Sequence, residues 1–124
     1  MKYTFTIAIA LSVQTLACCA ENLEQRFKEP PFEARPQAFW TWMSGNVSKE
    51  GITKDLETLH RVGLGGAATF NFDGPQFSEK GPASYMGEVW IDHFEHALKE
   101  ADRLGMELGM HLCDGWSVAG GPWI

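Results

Sequence analysis

Residues 65–72 carry the sequence GGAATFNF, and this stretch decides the fold class. The stretch is short and consists mainly of small and apolar residues, and it lacks the alternation of polar and apolar residues that marks a strand with one face in water. Such a run is typical of a parallel strand that is buried on both faces. The sequence therefore predicts a parallel strand over residues 65–72, with other elements packed above and below it.

A strand and a helix are predicted before this strand. Ala38–Met43 is aromatic and apolar, which indicates a first strand. Ile52, Leu56 and Leu59 then recur at helical spacing, so they predict one buried face of a helix. Ser48 precedes this pattern and is a residue type that favours a helix N-terminus.

A second helix and a third strand are predicted after residues 73–88, which form a long loop rich in glycine and proline. The apolar face of the helix comprises Trp90, Phe94, Ala97, Ala101 and Leu104. Gly105 is placed to end this helix, and Met106–Leu112 indicates the third strand. A glycine-rich loop is predicted over residues 113–124.

The alternation of strands and helices predicts an α/β chain with a parallel sheet and right-handed crossovers. A doubly wound sheet and a (β/α) barrel both satisfy this order. No helical pattern follows the third strand, so one part of the sheet would lose about 25 cal/mol for each Å² of apolar surface left in water. We therefore expect the opening units of a larger fold, with a small complete domain as the alternative.

Residues 1–20 have the parts of a secretory signal peptide. Lys2 supplies a positive charge, an apolar run covers Phe5–Val13, and small residues lead to Ala20. The run is shorter than the roughly 20 apolar residues that cross a bilayer. We predict export with cleavage after Ala20, to the periplasm or the medium. The alternative is a lipoprotein signal in which Cys19 becomes a lipid anchor and attaches the protein to the outer membrane.

The chain after residue 20 is predicted to divide into two parts. Residues 21–37 are charged and contain three prolines, so they are expected to form an extended lead-in. Residues 38–124 are expected to form the α/β part. Trp40, which alternates with Trp42, is expected in the core rather than in a site.

Charge and composition exclude some partners. The chain has 16 Asp and Glu residues against 10 Lys and Arg residues, and its net charge is −6. An acidic chain without a basic run argues against nucleic acid and against anionic lipid surfaces. Five tryptophans among 124 residues fit either a dense core or platforms on which sugar rings stack.

Polar and aromatic side chains gather where the predicted strands end, the edge at which parallel β/α folds place their sites. Amides and carboxylates pair with hydroxyl groups, and tryptophan faces stack on sugar rings. We therefore predict a carbohydrate pocket lined by Trp42, Asn46, Asn71, Asp73, His111, Asp114 and Trp116. Structural alternatives are a turn role for Asn46, a loop cap for Asp73 and a core position for His111.

Three strings of residues resemble one enzyme family. They are PFEARP at 31–36, FWTWMSGNVSKEGI at 39–52, and the stretch 111–124, which begins HLCDGWS and ends GGPWI. They resemble the N-terminal part of glycoside hydrolase family 106, the bacterial α-L-rhamnosidases and their relatives. The resemblance covers nearly all of the chain after residue 20.

The resemblance implies an exported (β/α)₈ barrel, a TIM barrel, that removes terminal rhamnose from complex glycans with inversion. It also implies a pair of catalytic glutamates and a calcium ion near the sugar. The glutamates are expected beyond residue 124, so no catalytic residue is assigned here and no metal ligand is known. The present stretch is expected to be inactive without the C-terminal remainder of the barrel. A non-catalytic carbohydrate-binding protein, free or lipid-anchored, is the alternative.

Overall fold

The computed structural model describes residues 23–73 and 79–115. Within them it contains strand β1 (Gln37–Met43), helix α1 (Lys49–Arg61), strand β2 (Gly66–Phe72), helix α2 (Glu88–Leu104) and strand β3 (Glu107–Asp114). The three strands are parallel and lie in the order β1-β2-β3. The predicted α/β order of parallel strands and helices is confirmed, and the structure places β2 at the centre of the sheet. The predicted signal peptide, Cys19 and Trp116 lie outside the described residues.

The segment ahead of the sheet differs from its predicted extended form. Residues 23–28 are helical, and a short 3₁₀ helix covers Phe32–Ala34. The Lys28 ammonium lies 2.6 Å from the Glu24 carboxylate, a pair at the i,i+4 spacing that supports a helix. The prolines begin only at Pro30, so they end this helix rather than prevent it.

Helix α1 begins as its sequence predicts. Ser48 has extended backbone angles, and its hydroxyl accepts a hydrogen bond from the Gly51 N–H at 3.2 Å. This bond satisfies one of the amide groups that the first turn leaves without a helical partner. Ile52 and Leu56 are fully buried, so the predicted apolar face is the face that packs.

Helix α2 ends at Gly105, also as predicted. Gly105 has a left-handed backbone (φ 64°), and its N–H bonds back to the Asp102 carbonyl oxygen at 3.0 Å. Glycine adopts this conformation without the steric cost that a Cβ atom adds. The chain can therefore turn directly from α2 into β3.

An aromatic core joins one face of the sheet to the two helices. The rings of Trp40 and Trp42 meet edge to face with centroids 5.4 Å apart. Trp42 in turn meets Trp90 of α2 edge to face at 5.8 Å, and Trp90 stacks on Phe94 at 5.0 Å. Trp40 is 8% exposed, which confirms its predicted core position. Such aromatic pairs add about 0.5–1.5 kcal/mol each beyond the area that they bury.

The opposite face of the sheet carries a second row of aromatic side chains, because successive strand residues point to opposite sides. Phe39 meets Phe70 edge to face at 6.1 Å, and Phe70 lies 4.8 Å from the His111 ring. Phe39 is 82% exposed. Within the described residues, no helix packs on this face.

The chain that enters α2 crosses closely over the turn after β1. The Gly81 N–H donates to the Ser44 carbonyl oxygen at 2.8 Å, and the Ala83 N–H donates to the Gly45 carbonyl oxygen at 3.2 Å. Gly45 has a left-handed backbone (φ 68°), and a Cβ atom at Gly81 would collide with the Gly45 carbonyl group. Glycine at both positions therefore permits the crossing, which holds residues 79–87 against the ends of the strands.

Replacing Gly81 with alanine is expected to destabilise the protein, because the new methyl group meets backbone atoms that cannot move aside. Gly105→Ala is the matched control, since open space surrounds Gly105 and the cost there is only the left-handed backbone, about 1–2 kcal/mol. Urea unfolding should show a larger decrease in the free energy of unfolding for Gly81→Ala than for Gly105→Ala. An equal or smaller loss would contradict the close crossing.

Candidate functional site

A register shift in β3 builds the first part of the site. Thr69 pairs with Met110, but Asn71 pairs with Asp114, so β3 has two additional residues between these pairs. The shift places Asp114 beside Asn71 at the carboxyl end of the sheet. The Gly115 N–H donates to the Asn71 carbonyl oxygen at 2.9 Å and completes the pairing.

Two carboxyl groups meet at this edge. The Asp73 backbone N–H donates to Asp114 Oδ1 at 2.9 Å. The Lys80 ammonium lies 3.3 Å from Asp73 Oδ2. Asp73 and Asp114 therefore lie next to each other, and each carboxyl group retains oxygen lone pairs that can accept further hydrogen bonds.

Burial changes the acidity of two groups at the site. Partial removal from water raises the pKa of Asp114 above its ordinary value of 3.8, and this outweighs the opposing effect of the Asp73 N–H. Burial also raises the pKa of Tyr85, with smaller contributions from the negative charges that Cys113 and Asp114 carry when ionised. Both side chains therefore favour their protonated forms more than they would in water.

An open cleft of about 490 Å³ lies over these groups. It is lined by Asp73, Lys80, Ser84, Tyr85, Met86, Leu112 and Asp114. A recess of about 10 Å³ adjoins the cleft through Asp73, Tyr85 and Asp114. The recess is also lined by Trp42, Gly45, Asn71, Phe72 and Ala83.

Asn71 contributes a buried amide to the recess. The Trp90 indole N–H donates to Asn71 Oδ1 at 2.7 Å. Asn71 is 3% exposed, and its Nδ2 has no hydrogen-bond partner in the described part of the chain. An unpaired buried donor costs about 1–3 kcal/mol, so this atom is prepared for an acceptor that residues 23–73 and 79–115 do not provide.

Trp42 lies at the predicted place but in a different role. It is 3% exposed, and Trp40, Trp90 and Phe94 pack around its ring. No face of the indole is open for a sugar ring to stack on. Its indole N–H, which lacks a partner within residues 23–73 and 79–115, is the part of Trp42 that remains available.

Two other predicted residues lie away from the two carboxyl groups. Asn46 donates to the Glu79 carbonyl oxygen and lines a separate cavity of about 150 Å³ beside Trp40 and Asp55. His111 lies against Phe70 on the opposite sheet face, with Nδ1 3.4 Å from the Cys113 sulfur. The structure therefore brings together Asn71, Asp73 and Asp114, with Trp42 at the edge of the recess.

Sequence reasoning missed the residues that the loop after β2 contributes. Lys80, Ser84, Tyr85 and Met86 all line the cleft, and Trp90 orients Asn71. The available signal was the general rule that loops after the strands build the site in β/α folds. The glycine pattern around Gly81 showed a loop but did not show that the loop folds back over the strand ends.

The described residues do not fit a calcium site by themselves. Calcium takes six to eight oxygen ligands. Residues 23–73 and 79–115 contain no group of three or more His, Cys, Asp or Glu side chains that could hold a metal ion. Lys80 already pairs with Asp73, and a backbone N–H occupies one Asp114 oxygen. These contacts suit hydroxyl groups, which both donate and accept hydrogen bonds.

None of the helices in the described part of the chain is long and apolar enough to cross a membrane.

Parallel strands with polar groups at their carboxyl ends define an α/β chain with a strand-end site, and comparisons with known proteins identify its family. The family model described as alpha-L-rhamnosidase, glycoside hydrolase family 106, matches residues 28–124. The chain therefore belongs to this glycoside hydrolase family, as the resemblance predicts.

Two relatives show what share of a related protein's length this chain covers. A Formosa agariphila protein named "Putative beta-glucuronidase" is 45% identical over 120 residues, which are 97% of this chain and 10% of that protein. The solved rhamnosidase structure from Novosphingobium sp. PP1Y is 48% identical with a TM-score of 0.69, over 82% of this chain and 10% of that one. The chain thus spans about a tenth of each relative's length.

Replacing Asp114 with asparagine should change the pH dependence of stability. The raised pKa of Asp114 means that the folded protein holds this proton more tightly than the unfolded chain does. The resulting stabilisation is present below pH 3.8 and is lost as the pH rises through the folded-state pKa. The free energy of unfolding of Asp114→Asn relative to wild type should therefore increase with pH across that window, measured by urea unfolding.

Asp92→Asn provides a control of opposite sign. A hydrogen bond from the Lys49 ammonium lowers the pKa of Asp92, so its stabilisation is present at neutral pH and is lost as the pH falls. The stability of Asp92→Asn relative to wild type should fall as the pH rises. If the stability relative to wild type changed in the same direction with pH in both variants, the burial of Asp114 would be contradicted.

Proposed function

We propose that this chain is the front part of an exported glycoside hydrolase that removes terminal α-L-rhamnose from complex glycans. Membership of the α-L-rhamnosidase family over residues 28–124 carries this proposal. The cleft supports it, because carboxylate, ammonium and hydroxyl groups line one opening at the carboxyl ends of β2 and β3. Such a mixture pairs with the hydroxyl groups of a sugar.

The role of the present residues in this enzyme is to bind and orient the sugar. Asp73 and Asp114 accept hydrogen bonds from sugar hydroxyls, and Lys80 and Tyr85 donate to them. The inverting chemistry belongs to a pair of glutamates outside this stretch. A calcium ion near the sugar would take at least part of its ligand set from the rest of the protein, because residues 23–73 and 79–115 hold no group of three or more His, Cys, Asp or Glu side chains for it.

Closure of a (β/α)₈ barrel accounts for the open face of the sheet. In such a barrel the inward side chains of all eight strands pack together in layers. Phe39, Phe70 and His111 face the side that this closure would cover. The remaining strands would come from the rest of the protein, and we propose that this stretch alone is inactive.

Export is the second part of the proposal. The charge at Lys2, the apolar run and the small residues before Ala20 support a signal peptide. Cleavage after Ala20 would release the enzyme to the periplasm or the medium, whereas lipidation of Cys19 would hold it at the outer membrane.

The full-length protein, obtained by extending the reading frame past Ile124, is expected to hydrolyse p-nitrophenyl α-L-rhamnoside. p-Nitrophenyl β-D-glucuronide is the comparison substrate, because one relative carries a glucuronidase name. Proton NMR of the first product should show the anomer inverted relative to the substrate. Activity on the glucuronide alone, or on neither substrate, would overturn the proposal.

The purified stretch 21–124 distinguishes an enzyme fragment from a binding module. The fragment proposal predicts no measurable rhamnose binding by calorimetry, because the rest of the barrel is absent. It also predicts poor solubility, because Phe39 and its neighbours lie in water. Specific sugar binding by a soluble, folded 21–124 chain would favour the non-catalytic alternative.

The fate of the N-terminus is tested by labelling cells with radioactive palmitate. An anchored protein takes up label at Cys19, and Cys19→Ala abolishes it. Cys18→Ala is the matched control and should leave the label in place. A soluble, unlabelled wild-type protein that begins at residue 21 would instead establish release after Ala20.

A further inference from the structure

The recess beside the cleft has a chemical character of its own. It is lined by two buried side chains whose N–H groups lack a partner in the described chain, Trp42 and Asn71. It is also lined by Asp114, whose carboxyl group accepts hydrogen bonds. A group that satisfies both kinds of partner must accept from an N–H and donate to a carboxylate, and a hydroxyl does both. A cation would be repelled by the N–H donors, and an anion would be repelled by the Asp114 carboxylate.

The size of the recess limits what enters it. Its volume of about 10 Å³ is close to the roughly 10–15 Å³ that one water-sized group requires. A sugar ring is far too large for this space but fits the cleft of about 490 Å³ next to it. The two spaces share Asp73, Tyr85 and Asp114, so one hydroxyl of a sugar in the cleft can reach into the recess.

The direction of the Asn71 amide is set by Trp90. An indole N–H is a donor only, so the atom that faces it must be the amide oxygen. The Trp90 bond to Asn71 Oδ1 at 2.7 Å therefore leaves Nδ2 as the free end. If the amide rotated by half a turn, its NH₂ group would meet the indole N–H without an acceptor between them.

We propose that the recess takes one hydroxyl of a neutral sugar bound in the cleft, with Asn71 Nδ2 donating to it and Asp114 accepting from it, and that Trp90 is the positioning residue that orients Asn71. This inference rests on the proposed function, since it concerns how the same sugar is held. Trp90 lines neither the cleft nor the recess. Besides its hydrogen bond to Asn71 it packs edge to face on Tyr85 with ring centroids 5.2 Å apart, an aromatic contact that phenylalanine can also make.

Two variants of the full-length enzyme separate the parts of this arrangement. Asn71→Asp keeps an acceptor for the Trp90 N–H but replaces the free donor with an acceptor. Trp90→Phe keeps Asn71 but removes the bond that orients it. Each should raise KM for p-nitrophenyl α-L-rhamnoside about 10-fold with little change in kcat, as expected for one lost hydrogen bond to the bound sugar. The double variant should be little worse than Asn71→Asp alone, because Trp90 acts through Asn71.

Trp40→Phe is the matched control for Trp90→Phe. Trp40 belongs to the same aromatic core, and its indole N–H also makes one hydrogen bond, to Asp55 Oδ2 at 3.0 Å. The control should lose a similar amount of stability in urea unfolding but keep its KM within about 2-fold, because its indole hydrogen bond goes to Asp55, which lines neither the cleft nor the recess. An equal rise in KM for Trp40→Phe and Trp90→Phe would overturn the positioning role.

Monodeoxy rhamnosides identify the occupant of the recess. The wild-type enzyme should bind the analogue that lacks the hydroxyl of the recess more weakly than it binds the other analogues. Loss of that hydroxyl should not weaken binding to Asn71→Asp any further, because this variant has already lost the contact. If every analogue binds wild type equally while Asn71→Asp still raises KM, an ordered water fills the recess and the sugar contact is wrong. If the wild-type enzyme hydrolyses no rhamnoside, the proposed function fails, and this inference fails with it.

Discussion

One buried hydrogen bond, from the Trp90 indole to the Asn71 amide, links the aromatic core to the site. Trp90 lies in α2 and packs on Trp42 and Phe94, so the helix, the sheet and the amide hold one another in place. Breaking the bond would leave another polar group unpaired in the interior, at a cost of about 1–3 kcal/mol. The position of the amide is therefore a consequence of core packing.

The two faces of the sheet have different partners. One face packs against α1 and α2 through a closed aromatic core, and it also carries Asn71 at its carboxyl end. The other face presents Phe39, Phe70 and His111 without a helix over it among the described residues. The relatives are about ten times as long as this chain, so they contain many residues beyond those that align with this sheet.

Much of the fold was predictable because local chemistry decides it. The small apolar run of β2, the Ser48 cap and the Gly105 terminus each depend on nearby residues, and all three are confirmed. The lead-in was less predictable, since its prolines dominated the pattern while residues 23–28 form a helix ahead of them. Lys80 and Tyr85 were not predicted at the cleft, because loop composition does not show where a loop folds back.

The sequence by itself determined the order of strands and helices, the family, and the strand ends at which Asn71, Asp73 and Asp114 lie. It did so because periodicity, caps and family strings are local properties. Only the tertiary structure decided that Asp114 pairs with Asn71, since the register shift in β3 depends on contacts between strands. It also decided that Trp42 is a core residue, because Trp90 and Phe94 of α2 pack against its ring, which is 3% exposed.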